Sequence, residues 1–268
     1  MLFGLVPWSG RAIVTATNST AELAPPGLNW DYVYNYKNAS AVAVDPFWIL
    51  TAGHVADDAG DGSLIIDSTT YTQQEIVYHD SADLALVRYD KALPGFFPLY
   101  TGSFPTSPPP QKLSVLLVGY GHTGTVSPDS WTDGGSGNGT KRWGSQIIDR
   151  SQTVIYDAGG LVGLTTNNGV WMDFSQTDTP NEAGVGVYDS GGGTFYNENG
   201  TWKLAGINTE REGTEPDYTS TFSISMPAYE TWVSGVVPEP SSSVLLVGMS
   251  VVFGWIRRFR RRSPENRD

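Results

Sequence analysis

The sequence contains no cysteine among its 268 residues. No disulfide framework can therefore hold the fold, and neither a cysteine nucleophile nor a thiolate metal site is possible. Long Ala-, Leu-, Glu- and Lys-rich runs are also missing, whereas glycine (31 residues), proline (17 residues) and aromatic residues (12%) are abundant. This composition favours many short strands joined by turns. The length suffices for one large domain or two smaller ones, each with a real core.

Basic residues are scarce in all but the C-terminal end of the chain. The first 237 residues hold 10 Lys and Arg against 25 Asp and Glu, while the formal net charge of the whole chain is −12. The six remaining basic residues are arginines between positions 257 and 267. So acidic a body argues against nucleic acid as a partner, because nucleic-acid binding needs basic patches.

A glycine-rich turn is predicted late in the chain, at Val187-Tyr188-Asp189-Ser190-Gly191-Gly192-Gly193. Glycines let the backbone adopt positive φ and let a substrate approach closely. Amide groups of such a turn can converge on a developing oxyanion, and a serine hydroxyl there can act as a nucleophile if a base lies beside it. The alternative is an ordinary Ser/Gly turn, so the rest of the chain must supply the base and an acid.

Only three histidines are present, at positions 54, 79 and 122. His54 follows two strand-like runs, Ser40–Val44 and Phe47–Leu50, in the sequence Leu50-Thr51-Ala52-Gly53-His54. Asp83 lies 29 residues later and opens the apolar run Asp83-Leu84-Ala85-Leu86. The order of histidine, aspartate and serine is that of the chymotrypsin type of triad, not of the subtilisin or α/β-hydrolase types.

These motifs resemble those of trypsin-like (chymotrypsin-fold) serine proteases. Further along the chain, Trp202-Lys203-Leu204-Ala205-Gly206-Ile207-Asn208-Thr209 resembles the strand that lines their substrate cleft, and Ala228-Tyr229-Glu230-Thr231-Trp232-Val233 resembles their closing helix. Five motifs occur in the family's order over about residues 13–234. The resemblance implies an all-β fold of two six-stranded antiparallel β-barrels with a short C-terminal helix. Barrel one would cover about residues 13–100 and barrel two about residues 113–234, joined by the Pro-rich stretch 101–112.

The resemblance also implies the roles of the triad. His54 would act as general base and then as general acid, Asp83 would orient it, and Ser190 would attack the scissile carbonyl. Asp80 is a rival for the acid, but no apolar strand follows it directly. The backbone N–H groups of Tyr188 and Ser190 would form the oxyanion hole. Because the family has glycine at the position of Tyr188, we expect a hole that is strained or forms only with substrate bound.

The substrate-binding positions implied by the resemblance are Gly184 and Thr209. Gly184 stands at the base of the primary specificity pocket, so no acid supports a preference for Lys or Arg, and a neutral, apolar or small side chain is expected. Asn181 and Glu182 would reach the pocket instead if the loop is shifted by two residues. Thr209 stands where the family has a serine beside the triad acid, and Glu210-Arg211 replaces the usual Trp-Gly.

The N-terminal region carries two alternatives. Residues 1–12 form a short apolar run that ends in small residues, either the remnant of a signal peptide or an ordinary N-terminal strand. In the family, Asp189 pairs with the new α-amino group of the processed chain. Ile13-Val14 resembles the usual start, so cleavage after Ala12 would free that amine.

No metal or cofactor is predicted. Asp57, Asp58 and Asp61 cluster around two glycines, but a calcium loop of the EF-hand type needs a Glu at its twelfth position, which is missing.

The C-terminal segment 237–268 is interpreted as a unit separate from the preceding domain. Val237-Pro238-Glu239-Pro240 precedes an apolar run that ends at Ile256, and the arginines follow. The 17 residues from 240 to 256 are at the short limit for a membrane-spanning helix. The three parts resemble a PEP-CTERM sorting signal of Gram-negative bacteria. That resemblance implies export across the inner membrane, transient anchoring, and cleavage by an exosortase that releases the protein to the envelope or extracellular matrix.

The sequence therefore predicts an exported serine endopeptidase that acts on protein or peptide substrates. Two alternatives stay open: a catalytically inactive binding protein of the same fold, and an esterase that uses the same triad.

Overall fold

The computed structural model describes residues 13–15, 21–104, 113–135 and 139–237. The expectations for residues 1–12, for most of the Pro-rich stretch and for the C-terminal signal beyond residue 237 lie outside the described residues. Within the described ranges, no helix has the length and apolar character needed to cross a membrane.

The first half of the chain contains short strands, one 3-10 helix (η1) and one short α-helix. In chain order they are β1 (Val14–Thr15), η1 (Trp30–Tyr32), β2 (Val33–Tyr36), β3 (Ala39–Asp45), β4 (Trp48–Thr51), α1 (Gly53–Asp57), β5 (Leu64–Ile66), β6 (Thr69–Tyr71), β7 (Gln73–Tyr78) and β8 (Ala85–Tyr89).

The second half consists of ten strands and the closing helix. These are β9 (Leu113–Gly119), β10 (Gly124–Ser127), β11 (Ser130–Asp133), β12 (Arg142–Ile148), β13 (Arg150–Asp157), β14 (Leu164–Asp173), β15 (Ala183–Gly184), β16 (Gly193–Glu198), β17 (Thr201–Thr214), β18 (Asp217–Ser225) and α2 (Met226–Val236).

The strands form two main antiparallel sheets, one in each half, and two two-stranded sheets, β1–β15 and β5–β6. The first has the order β2-β3-β4-β8-β7, with β5 and β6 as a separate hairpin. The second has nine strands, in the order β10-β11-β18-β17-β16-β9-β12, with β13 and β14 attached through β18. The predicted fold of two antiparallel β-barrels with a short C-terminal helix is confirmed, although the sheets hold five and nine strands instead of six each.

The β10–β11 hairpin adds two strands to the edge of the sheet in the second barrel. Residues between β9 and β12 form the β10–β11 hairpin, which pairs with β18 through Trp131 and Tyr218. Trp131 is fully buried against Val14 and Phe174. Burial of this indole outweighs the polar character of the stretch and folds it onto the second barrel.

The N-terminal strand also departs from the predicted division of the chain. Val14 pairs with Gly184 and Thr15 with Ala183, so β1 lies with the second barrel. Ile13 is completely buried in a cluster of second-barrel residues such as Leu117 and Val185.

The largest core cluster contains residues of both halves, because strands of both barrels turn apolar side chains towards it. Its fully buried members include Val33, Leu50, Leu84, Leu86, Val118, Phe195, Leu204, Ile207, Phe222 and Ile224. Helix α2 closes the cluster with Met226, Tyr229 and Val233, which recur on one face of the helix. The active-site loops described next lie where the two halves meet.

Candidate active site

His54 and Asp83 are brought together by neighbouring strands of the first barrel. His54 lies in the first turn of α1, directly after β4, and Asp83 lies in the loop before β8, which pairs with β4. His54 Nδ1 is 2.7 Å from Asp83 Oδ2, and the His54 backbone N–H donates to Asp83 Oδ1 at 2.8 Å. Asp83 is fully buried, whereas the rival Asp80 is exposed. The geometry therefore favours Asp83 as the acid.

The environment of His54 favours its protonated form. Burial alone lowers the pKa of the imidazole, but the hydrogen bond and the charge of Asp83 raise it, with smaller contributions from Asp58 and Glu210. The net pKa of His54 is above its ordinary value. Such a shift is what a base needs if it must hold a proton during the reaction.

Ser190 lies on the turn between β15 and β16 and lines the same cavity as His54. The Ser40 backbone N–H donates to the Ser190 carbonyl oxygen at 3.0 Å and ties the turn to the first barrel. Gly191 has φ of 81°, and a Cβ there would lie 2.0 Å from the Ser40 carbonyl oxygen, so only glycine fits. Within the described residues, no hydrogen bond joins Ser190 to His54. In free enzymes such contacts are often long and tighten only with substrate.

Tyr188 adopts a left-handed backbone conformation, which favours glycine. Its φ is 71°, the residue is 38% exposed, and its ring packs edge-on against His122, with the ring centres 5.0 Å apart. The His122 N–H donates to the Val187 carbonyl oxygen at 2.7 Å. Because the peptide group is planar and trans, the Tyr188 N–H points away from that bond.

The two N–H groups expected to form the oxyanion hole are both available. Neither the Tyr188 N–H nor the Ser190 N–H donates a hydrogen bond to any residue in the described ranges. A residue other than glycine that is held at positive φ costs about 1–3 kcal/mol of strain. The tyrosine therefore strains this loop but leaves its donors free.

Asp189 points away from Ser190 into the second barrel and is fully buried. Its carboxylate accepts three backbone N–H groups: Gly186 at 2.8 Å, Gly121 at 2.8 Å and Ile13 at 3.2 Å. Burial raises the pKa of Asp189 to about 7, even though these three donors lower it. The predicted pairing of Ile13 with Asp189 is thus matched by a direct contact, made here by a peptide N–H.

A cavity of about 340 Å³ contains the reactive groups. His54, Tyr188, Ser190 and Thr209 line it, together with other residues of the first barrel (Ala39, Val55 and Asp58) and of the second (Tyr156, Asp157, Ala158, Val185, Gly186, Val187, Asn208, Glu210 and Arg211). Gly184 does not line the cavity, because it lies against the Trp131 indole, where a Cβ would approach within 2.2 Å. Trp131 Nε1 also donates to the Val185 carbonyl oxygen at 3.0 Å, so the indole backs the wall of the cavity.

Asn181 and Glu182, the alternative pocket residues, are buried outside the cavity. The Glu182 carboxylate accepts the N–H groups of Ser175 and Thr179 at 2.8 and 2.9 Å and thereby holds the loop before β15. Their role in the structure is local.

The structure reveals functional neighbours that the sequence did not indicate. The Tyr156 hydroxyl donates to Asp83 Oδ2 at 2.9 Å. Asp133 accepts the Val187 N–H at 2.7 Å, pairs with Arg211 at 2.9 Å, and contacts His122 at 3.0 Å. Burial raises the pKa of Asp133, but these donors outweigh it and the net pKa is lowered. Because Asp133 lies in the β10–β11 hairpin and Tyr156 in β13, and neither segment carries a motif, no sequence signal marked them.

The similarity of the chain to known proteins agrees with this geometry. Residues 39–207 match the family model of the trypsin-like peptidase domain. No curated protein is significantly similar to the chain in sequence. Among solved structures, the chain is similar to the active form of the Rv3671c protease from M. tuberculosis, with a TM-score of 0.51 and 16% identity over 76% of this chain and 75% of that chain.

The chain is also similar to human heparin binding protein, with a TM-score of 0.56 and 13% identity over 87% of this chain and 99% of that chain. Identities this low establish likeness of fold alone, whereas the family model covers more than half of the chain. The protein therefore belongs to the trypsin-like peptidase family.

Proposed function

We propose that the protein is an exported serine endopeptidase that hydrolyses peptide bonds through an acyl-enzyme intermediate. The observation that carries the proposal is the 2.7 Å contact between His54 Nδ1 and the buried Asp83, in one cavity with Ser190. Since Nδ1 faces Asp83, the other ring nitrogen, Nε2, is left to take the proton of the serine hydroxyl.

In the proposed reaction, Ser190 Oγ attacks the scissile carbonyl and His54 accepts its proton. Asp83 holds the imidazole in the correct tautomer and stabilises the imidazolium that forms. The free N–H groups of Tyr188 and Ser190 bind the oxyanion. His54 then gives the proton to the leaving amine, and water repeats the sequence to release the acyl group.

Substitution of the nucleophile tests the proposal directly. We expect the wild-type chain to react with a fluorophosphonate probe and to cleave a casein-derived peptide mixture, and Ser190→Ala to do neither. Ser81→Ala, a change of an exposed serine outside the cavity, serves as the matched control and should label like the wild type. Equal, background-level labelling of wild type and Ser190→Ala would refute the proposal and favour a binding protein.

The binding-protein alternative is kept because one structural neighbour is named for heparin binding, so the fold alone does not establish catalysis. The esterase alternative is separated by comparing matched peptide and ester substrates. An endopeptidase cleaves both, whereas an esterase cleaves only the ester.

For specificity, we propose a neutral, small or apolar side chain in the primary pocket. The support is the Trp131 indole, which fills the space beside Gly184 and backs the cavity wall at Val185, where an apolar group and not a carboxylate limits the depth of the pocket. Digestion of a peptide library followed by mass spectrometry tests this. Cleavage mainly after Lys or Arg would contradict it.

We further propose that the mature chain begins at Ile13. A β-branched residue with φ of 47° is strained, and cleavage after Ala12 removes the peptide bond that defines this angle. The new amine would form at the nitrogen that lies 3.2 Å from Asp189. The export and sorting proposals rest on the sequence patterns of residues 1–12 and 237–268 alone. Mass spectrometry of both mature termini in the native host tests all three.

A further inference from the structure

The hairpin formed by β13 and β14 belongs to the second barrel but contacts the loops of the first barrel that carry the histidine and the acid. Its four hydrogen bonds to these loops are Leu161 N to Asp57 Oδ2 (2.7 Å), Thr166 N to Ser81 O (2.7 Å), Asp83 N to Asn167 Oδ1 (2.8 Å) and Tyr156 Oη to Asp83 Oδ2 (2.9 Å). One of these bonds reaches α1, which carries His54, and two end on Asp83 itself. The hairpin therefore acts as a brace behind the imidazole.

The Tyr156 bond ends on the oxygen that matters most. Asp83 Oδ2 accepts from His54 Nδ1 at 2.7 Å and from Tyr156 Oη at 2.9 Å, while Oδ1 accepts the His54 backbone N–H at 2.8 Å. With donors on both oxygens, the carboxylate has a single orientation that suits the imidazole. Loss of the tyrosine hydroxyl would leave Oδ2 with the histidine alone.

Thr209 stands where the family has a serine beside the triad acid, but its hydroxyl does not bond to Asp83. Thr209 is only 8% exposed, and its Oγ1 meets no hydrogen-bond partner at bonding distance in the described part of the chain. The hydroxyl lies close enough to Tyr156 to lower the pKa of that phenol. The donor to the acid thus comes from β13 instead of β17.

Tyr156 is suited to remain a donor at every working pH. Burial and, next to it, the negative charge of Asp83 raise the pKa of the phenol above its ordinary value. A phenol that keeps its proton beside a buried carboxylate gives a charge-assisted hydrogen bond, which is stronger than a neutral one.

We propose that Tyr156 is a positioning residue of the active site, which orients Asp83 from the second barrel in place of the hydroxyl at position 209. This inference rests on the proposed function for its kinetic consequence but not for its structural one. It also implies that ordering of the β13–β14 hairpin is a condition for an aligned His54–Asp83 pair.

The first experiment measures the histidine without turnover. In a Ser190→Ala background, the pKa of His54 is determined by NMR titration with and without Tyr156→Phe. The groups that act on His54 are Asp83, Asp58 and Glu210, and the tyrosine hydroxyl withdraws charge from Asp83. Its removal should raise the pKa of His54 by about 0.5–1 unit, because more of the carboxylate charge is left to the imidazolium.

The second experiment uses the active protein. Since a hydrogen bond to a charged group corresponds to about a tenfold effect or more, Tyr156→Phe should lower kcat about tenfold with KM within twofold. The acid limb of the pH–rate profile should move upward together with the titration.

Two variants separate positioning from general packing. Tyr229 lies in α2, and its hydroxyl accepts the N–H of Asn168 in the same hairpin at 2.9 Å. Tyr229→Phe removes this hydrogen bond without affecting a contact of Asp83, so it should leave kcat within twofold. Thr209→Val should shift the His54 titration by less than Tyr156→Phe does, because the Thr209 hydroxyl lies near Tyr156 but does not bond to Asp83. Thermal unfolding of each variant verifies that it is folded.

The proposal is overturned if the folded Tyr156→Phe protein titrates within 0.2 unit of its parent, or if Thr209→Val alone reproduces the shift. If the wild type neither labels nor cleaves, the proposed function fails, but the titration in the Ser190→Ala background still tests the role of Tyr156.

Discussion

Asp83 and Asp189 are two fully buried carboxylates on either side of Ser190, and their partners differ in kind. Asp83 contacts a titratable imidazole and a phenol hydroxyl. Asp189 contacts only peptide N–H groups, and no cationic side chain reaches it within the described ranges. Burial accordingly raises the pKa of Asp189 to about 7.

The comparison separates two parts of the catalytic machinery. The histidine–acid pair is complete in the uncleaved chain, since all the groups that hold it are already in place. The loop proposed to carry the oxyanion donors rests on a carboxylate without a charged partner in the described residues, and the proposed cleavage before Ile13 would supply one. Each prediction below changes one side of this contrast.

The largest effect is a loss of kcat, and it is expected when Asp83 of the histidine–acid pair is substituted. Asp83→Asn keeps the size of the side chain but reverses the tautomer of His54, since an amide nitrogen can face Nδ1. We expect kcat to fall by about 10⁴-fold with little change in fold. Steady-state kinetics on a peptide or ester substrate measures this.

The neighbouring Asp80→Asn is the matched control, because Asp80 is exposed and outside the cavity. Its kcat should stay within twofold of the wild type. A large loss in Asp80→Asn with a small loss in Asp83→Asn would reverse the assignment of the acid.

The second effect is a pH dependence of stability that arises from Asp189, the carboxylate without a charged partner in the described residues. Asp189 has a folded-state pKa of about 7 against an ordinary value of 3.8, so the folded chain binds more protons than the unfolded chain between these values. Stability is therefore greatest below about pH 4 with respect to this group and declines as pH rises towards 7. For the chain with an intact Ala12–Ile13 bond, the free energy of unfolding should fall by up to about 4 kcal/mol over this range.

Urea unfolding at pH 4, 5.5, 7 and 8 measures the decline, and Asp189→Asn removes the titrating group as a control. After cleavage before Ile13, the amine supplies a positive charge and should restore stability near pH 7. This contribution should begin to decline only above about pH 8, the ordinary pKa of an α-amino group. If cleaved and uncleaved chains show the same pH dependence, Ile13 does not supply the countercharge.

The same contrast explains how far the sequence could lead. His54, Asp83 and Ser190 were marked by local motifs, because each is followed or preceded by residues that fix its strand or turn. The two barrels and α2 were predictable for the same reason. Tyr156 and Asp133 were not, because their roles arise from contacts between residues far apart in the chain: Tyr156 with Asp83, and Asp133 with Val187 and Arg211.

The expected place of Gly184 in the pocket shows the same limit. It depends on where Trp131 packs, and that packing is decided by the burial of an indole 53 residues away in the chain. Motifs report local backbone geometry, whereas the floor of a cavity is set by whichever distant side chain fills it.

The smallest effect is a change in stability, and it is expected at Tyr188, whose backbone is strained. Tyr188→Gly relieves the strain of a side chain held at φ of 71°. It also removes the contact with His122 and gives the unfolded chain more conformational freedom, and both changes reduce the gain. The net stabilisation of the protein should be about 1 kcal/mol. Asn199→Gly, at φ of 53° in the β16–β17 turn, is the control and should gain less, because asparagine tolerates this conformation. Since Tyr188 would serve catalysis through its backbone N–H, kcat should be kept in Tyr188→Gly. A variant that is stabilised but loses most of its kcat would show that the tyrosine side chain, and not only its N–H group, contributes to the reaction.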